Sequence, residues 1–261
     1  MAASLFGNAL QVDFDSVLAM EHAGMVQMFK NLEETGLKGF LTASDLVYES
    51  AVVEFFANAK MLAGTIVSFV ANKKVAITKE SFIEAFGLQI EGMFGFLGIQ
   101  KETVDEMRIK FSRTDAPFRT PSKKKQMKME FRILHDIVAK APFKDGSFDM
   151  VTSEKFDLMV AITVGLKVNW AQVLFQVLLN MVNTPKCQSH GFAIQISVLV
   201  QNVVKEDLGE LVKLHLQKVW TSKSVQIYIK KKSDVKSTGE TSTQQEDTER
   251  NNEGNETQSP R

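Results

Sequence analysis

Cysteine is nearly absent from this chain: Cys187 is the only one in 261 residues. That excludes an intramolecular disulfide and any zinc site built on two or more cysteines, a zinc knuckle included, and it fits a reducing compartment. Net charge is absent too, because 31 Lys and Arg balance 31 Asp and Glu. Nothing global therefore advertises a nucleic acid, a membrane surface or a strongly acidic partner. The start, MAASLFGNALQVDFD, lacks the positive n-region of a secretory leader and carries an acid by Asp13. An intracellular protein is expected, with cytoplasm and nucleus both open. Tyr and Trp are scarce, two each, against 19 Phe and 12 Met. Phe and Met fill interiors without needing a hydrogen-bond partner, so these side chains read as core.

A long hydrophobic run is also missing. The most apolar stretch is EKFDLMVAITVGLKVNWAQVLFQVLLNMVN, Glu154 to Asn183. It is interrupted by Gly165, Lys167 and Asn169, and neither half approaches the roughly 20 apolar residues that a membrane span requires. Thr152 and Asn169 are suited to cap two helices, the first ending at Gly165 and the second running from Trp170 to about Val182. A helical hairpin buried in a domain core is expected, with no membrane association.

What is present upstream is mostly helical patterning. Met25, Val26, Met28, Phe29 and Leu32 form one stripe, and Gly36 suits the end of that helix. A second helix is expected in LTASDLVYESAVVEFFANAK, with Ser44 as its cap and Val47, Val52, Phe55 and Phe56 turned inward. After Gly64, TIVSFVANKKVAIT predicts two strands around Ala71 to Lys74. Thr78 then caps a helix whose Phe82 and Phe86 share a face before Gly87. EGMFGFLG predicts a connection packed by Phe94 and Phe96. Beyond the central hairpin, Phe192 to Val204 and Leu208 to Trp220 read as helices, and TSKSVQIYIKKK as a helix capped by Thr221 in preference to a strand. The final residues, with Val235 as the one clear hydrophobe and seven acids against three bases from Ser233 onward, cannot bury enough surface to order.

Chemistry-bearing patterns are few. Gly92, Gly95 and Gly98 have neither the dinucleotide nor the P-loop spacing. Asp145-Gly146-Ser147 reads as a turn. Cys187 and His190 could share one side of a turn, but no orienting group or oxyanion hole accompanies them. His22, His135 and His215 are scattered and suggest no metal set. No enzyme activity, cofactor or metal is expected, and no small-molecule substrate is evident. One segment stands out: between Lys101 and Arg132, ten Lys and Arg face five Asp and Glu. Thr120-Pro121 predicts a helix start there, which would put Lys123, Lys124 and Lys125 on the first turn and Met127, Phe131, Leu134 and Val138 inside. Arg119, Lys123, Lys124, Lys125, Lys128 and Arg132 are the candidate nucleic-acid-binding residues, able to contact phosphates. A solvated charged loop would have the same composition.

Two blocks carry a family resemblance. VVEFFANAKMLAGTIVSFVANKKVAITKESFIEAFGL resembles the F-x-A-N, strand, turn, strand, capped-helix block of the plant transposon protein domain. That domain is similar to the first open reading frame of Athila-type retrotransposons. TSEKFDLMVAITVGLKVNWAQVLFQVLLNMV is similar to its later block, a helix, Gly-x-x-(I/V)-Asn and a second helix. The resemblance covers about Tyr48 to Val204 and departs from the pattern at Ala71-Asn72-Lys73-Lys74, which has no turn glycine. It implies a gag-like, non-enzymatic chain of plant mobile-element origin. The resulting expectation is a mainly α protein: an N-terminal helical segment over 1–44, a helical domain over 45–229 with one short hairpin near 65–78, and a disordered polar tail over 230–261. Its function would be protein interaction or assembly, with a protein partner or self-association, or alternatively RNA or DNA binding through 119–132.

Overall fold

The computed structural model describes residues 10–42, 46–95, 98–140, 149–184, 192–204, 208–213 and 219–234. The expectations for Ser44, Phe96, Asp145 to Ser147, Cys187, His190, His215 and the tail beyond 234 lie outside them. Strand β1 (Gln11–Val12) leads into helix α1 (Phe14–Leu18) and α2 (Ala23–Leu32). A π turn over Glu33–Leu37, in which Gly36 has φ 86°, carries the chain into α3 (Lys38–Leu41). Next come β2 (Leu46–Tyr48), α4 (Glu49–Asn58), the strands β3 (Lys60–Leu62), β4 (Thr65–Val70) and β5 (Lys73–Ile77), then α5 (Lys79–Phe86) and α6 (Lys101–Phe111). The second half runs β6 (Ser122–Lys123), a 3-10 turn over Lys124–Gln126, α7 (Met129–Lys140), β7 (Met150–Val151), α8 (Ser153–Thr163), α9 (Trp170–Asn183), α10 (Ala193–Val204), β8 (Leu211–Lys213), β9 (Val219–Trp220) and α11 (Ser222–Asp234).

The apolar stretch becomes a pair of helices, α8 and α9, as its interruptions predict. Thr152 Oγ1 accepts from Lys155 N, and Asn169 Oδ1 accepts from Gln172 N at 2.9 Å. Between them Gly165 takes φ 69°, a conformation that side chains with a Cβ resist. Phe156, Leu158, Met159, Val160, Ala161 and Ile162 are all buried, so α8 is enclosed nearly all round. Helices α2, α6 and α7 contact α8, while α5 and β3 contact α9. No helix among the described residues is long and apolar enough to cross a membrane.

Nine of the 15 described phenylalanines fall into two interior clusters. Phe40 lies 5.0 Å from Phe192, 5.5 Å from Phe86 and 6.2 Å from Phe82, and Phe82 lies 5.6 Å from Phe175, tying α3, α5, α9 and the entry to α10 together. Phe111 stacks on Phe131 at 4.0 Å and meets Phe156 at 5.3 Å, joining α6, α7 and α8. Each such ring contributes roughly 1.5–3 kcal/mol through burial, with about 0.5–1.5 kcal/mol more per well-placed pair. Two exceptions matter: Phe69 is 52% and Phe94 63% exposed. The glycine-rich connection is thus not packed by Phe94. It is held by its backbone, Met93 N donating to Lys167 O and Asn169 N to Met93 O.

The chain is largely helical, but a single hairpin understates its strands. Val70 pairs with Lys73, so the β4–β5 turn is only Ala71-Asn72, at φ 49° and 59°. Lys73 and Lys74 belong to β5, and β3 adds a third antiparallel strand through the tight Ala63-Gly64 turn. Lys60 therefore ends in a strand, not in the helix of the preceding residues. That helix, α4, also starts late, because Leu46–Tyr48 pairs antiparallel with β8. Leu208 to Trp220 is correspondingly not a helix: its described residues include β8, on β2, and β9, parallel to β1. Leu10, Phe14, Met25 and Phe40 share one buried cluster with residues as far along as Val225. Thr221 caps α11 as expected, exchanging hydrogen bonds with Ser224, and the helix extends to Asp234, past the expected tail boundary at 230.

Candidate functional site

The basic segment folds differently from its prediction. Pro121 follows a cis peptide bond, Ser122–Lys123 pairs with β7, and a 3-10 turn precedes α7, which starts only at Met129. Lys123, Lys124 and Lys125 are thus off the helix and escape its dipole. Met127, Phe131, Leu134 and Val138 are buried as predicted.

The six candidate side chains then separate into two groups. Arg132, only 7% exposed, points back beneath the turn: its Nε donates to Met127 O at 2.7 Å and its Nη2 to Lys125 O at 2.6 Å. Lys124 also turns inward, with Nζ 2.6 Å from Asp136 Oδ1 and 3.3 Å from Asp149 Oδ1. Both cations are engaged in holding the loop to α7 and β7. Arg119, Lys123, Lys125 and Lys128 remain exposed.

Around Lys124 lies a small polar network. His135 is fully buried, with Nε2 3.2 Å from Met150 O and Nδ1 3.7 Å from Asp136 Oδ1. Burial raises the Asp136 carboxyl, but His135 and Lys124 beside it lower it by more, so it sits below the ordinary carboxylate value. Tyr228 of α11 is pushed up to about 12 by burial and by Asp136, with Arg132 opposing the shift. Tyr228 and Arg132 act on each other's titration in the same way: burial lowers Arg132, and Tyr228 raises it against that. Lys230 and Lys231, two and three residues beyond Tyr228 on α11, are exposed.

Among the described residues no group of three or more His, Cys, Asp or Glu could hold a metal ion. His22 is a helix cap, its Nδ1 accepting from Met25 N. A cleft of about 110 Å3 lined by Gln27, Asn31, Lys110 and Glu130 falls short of the roughly 300–1,000 Å3 usual for organic ligands.

The sheet β3-β4-β5 carries a second exposed feature that the sequence reading missed. Its inner face, with Ile66, Ser68, Val70, Val75 and Ile77, is buried. Its outer face shows Leu62, 60% exposed, and Phe69, 52% exposed, with Val67 between them. Lys60 lies opposite Val67 on one side, and Lys74 opposite Phe69 on the other. Polar Ser68 would mark the strand face containing it as the wet one. In the fold Ser68 is fully buried, donating to Phe55 O at 2.7 Å, and Phe69 faces solvent instead.

The chain matches no protein-family model, no curated protein and no solved structure.

Proposed function

We propose that this chain is a non-catalytic protein-interaction or assembly domain, derived from a plant mobile element of the gag-like kind. The observation that carries this reading is the outer face of β3-β4-β5, where Leu62 and Phe69 stand largely in solvent. Large apolar side chains gathered on one exposed face mark contact surfaces more often than chance exposure does. The mobile-element origin rests on the two sequence blocks, which pack on each other: α5 contacts α9, and Lys79 Nζ donates to Gln172 Oε1. The test compares wild type and Phe69→Thr by light scattering across a wide concentration range and by crosslinked capture from plant tissue. Loss of association in the variant is expected. A wild type that stays monomeric and captures nothing sinks the reading.

A second reading, binding of RNA or DNA, rests on the exposed Arg119, Lys123, Lys125 and Lys128. Replacing Lys123, Lys125 and Lys128 by Gln should lower the salt dependence of binding by about one unit of slope for each phosphate no longer neutralised. An unchanged slope excludes this surface.

A further inference from the structure

Resting on the interaction reading above, we infer that the outer face of β3-β4-β5 takes an acidic, extended segment of a partner protein, with two carboxylates flanking an apolar anchor. The three strands contain Lys60, Lys73 and Lys74 and no carboxylate at all. On the outward side Val67 and Phe69 of the central strand lie between a lysine on each flanking strand, Lys60 and Lys74. Val67 sits between Lys60 and Ala76, and Phe69 is opposite Lys74. Glu54, on the helix beneath, is already used, accepting from Ala71 N at 3.1 Å.

Register sets the spacing of the two cations. Lys60 and Lys74 are two strands apart and offset by two residues, which puts their Cα atoms about 12 Å from each other. In an extended chain, residues four apart span about 13 Å, and positions i, i+2 and i+4 share a face. A Glu-x-Phe-x-Glu pattern therefore presents two carboxylates to the two lysines and one ring to the Leu62, Val67 and Phe69 surface. A second copy of this chain fits less well, since two such faces meeting would oppose lysine with lysine. The acidic C-terminal residues fit less well too, because Val235 is their single clear hydrophobe. Single-stranded nucleic acid would find one ring, short of the successive stacking positions it uses.

The experiment uses the full chain and a fluorescein-labelled probe, Ser-Glu-Thr-Phe-Thr-Glu-Ser, read by anisotropy. A matching peptide with both Glu replaced by Lys and a ten-nucleotide poly(U) serve as the comparisons. Binding of the acidic probe is expected, with Phe69→Thr weakening it at least about tenfold. The Lys60→Glu/Lys74→Glu variant should reverse the preference, losing the acidic probe and gaining the lysine one. Thr suits an exposed strand position, and both lysines are exposed, so folding is checked simply by circular dichroism. Equal binding of both peptides, or preference for poly(U) lost in Phe69→Thr, overturns the inference. If the acidic probe fails to bind while Phe69→Thr still abolishes self-association, the acidic partner is refuted and the interaction reading stands. If Phe69→Thr changes neither, both fall.

Discussion

Lys124 and Asp136 offer the sharpest test of how the basic segment is built. Their side chains are 20% and 14% exposed and meet at 2.6 Å. Lys124→Met leaves a largely buried carboxylate with its lysine partner gone, and Asp136→Asn leaves an ammonium whose other anion is the exposed Asp149. Stranding one charge of a fully buried pair costs about 3–5 kcal/mol. Partial exposure reduces this, so about 2 kcal/mol per single variant is expected at neutral pH. At about 2–4 °C per kcal/mol for a chain of this size, each Tm should fall by roughly 4–8 °C. The double variant should lose much less than the sum, with a coupling of about 1–2 kcal/mol. Sign and pH follow from linkage. Because the folded Asp136 carboxyl lies below its ordinary value of about 3.9, its stabilisation is complete above that value and disappears as pH falls through the lower folded one. The deficit of Asp136→Asn relative to wild type should therefore shrink in acid. Urea denaturation of the four proteins at pH 7 and pH 3 measures both effects. Additive losses in the double variant, or a deficit constant between the two pH values, would refute the reasoning.

Three further outcomes follow from specific contacts. Arg132→Gln should cost about 2–3 kcal/mol in urea denaturation, because Met127 O and Lys125 O lose a charged donor, yet leave the salt slope of any nucleic-acid binding unchanged. Gly39→Ala should be more damaging than its size suggests: the added Cβ would meet Phe86 O at 2.1 Å, so α3 and α5 must separate, and a Tm loss above about 5 °C is expected. Ser68→Ala should cost about 1–3 kcal/mol by stranding the buried Phe55 carbonyl, whereas the same change at an exposed serine stays within about 0.5 kcal/mol.

Local features were legible wherever the controlling interaction spans a few residues. The Thr78 cap with its Ser81 return bond, the Asn169 and Thr152 caps, the left-handed Gly165 and Gly87, and the inward stripe of Met127, Phe131, Leu134 and Val138 all follow from side-chain chemistry within one or two helical turns. The strands were harder. Ladders such as Leu46–Lys213 and Gln11–Val219 are two or three residues long and join opposite ends of the chain, so no period reveals them. Lys60 to Leu62 continues a helical composition and becomes a strand only because Ala63-Gly64 turns it onto β4. The candidate site was legible as a composition and not as a surface. Six basic residues were evident, but nothing local distinguishes Lys124 from Lys125.

By itself the sequence determined the two helices of the apolar stretch, the caps that bound them, and the concentration of positive charge between 101 and 132, because each depends on neighbours along the chain. Tertiary structure alone decided that Lys124 and Arg132 turn inward to Asp136 and to backbone carbonyls. It also decided that Ser68 is buried while Phe69 faces water. Those outcomes depend on which partner is available to a buried polar group or an exposed ring, and such partners are set by distant parts of the chain packing together.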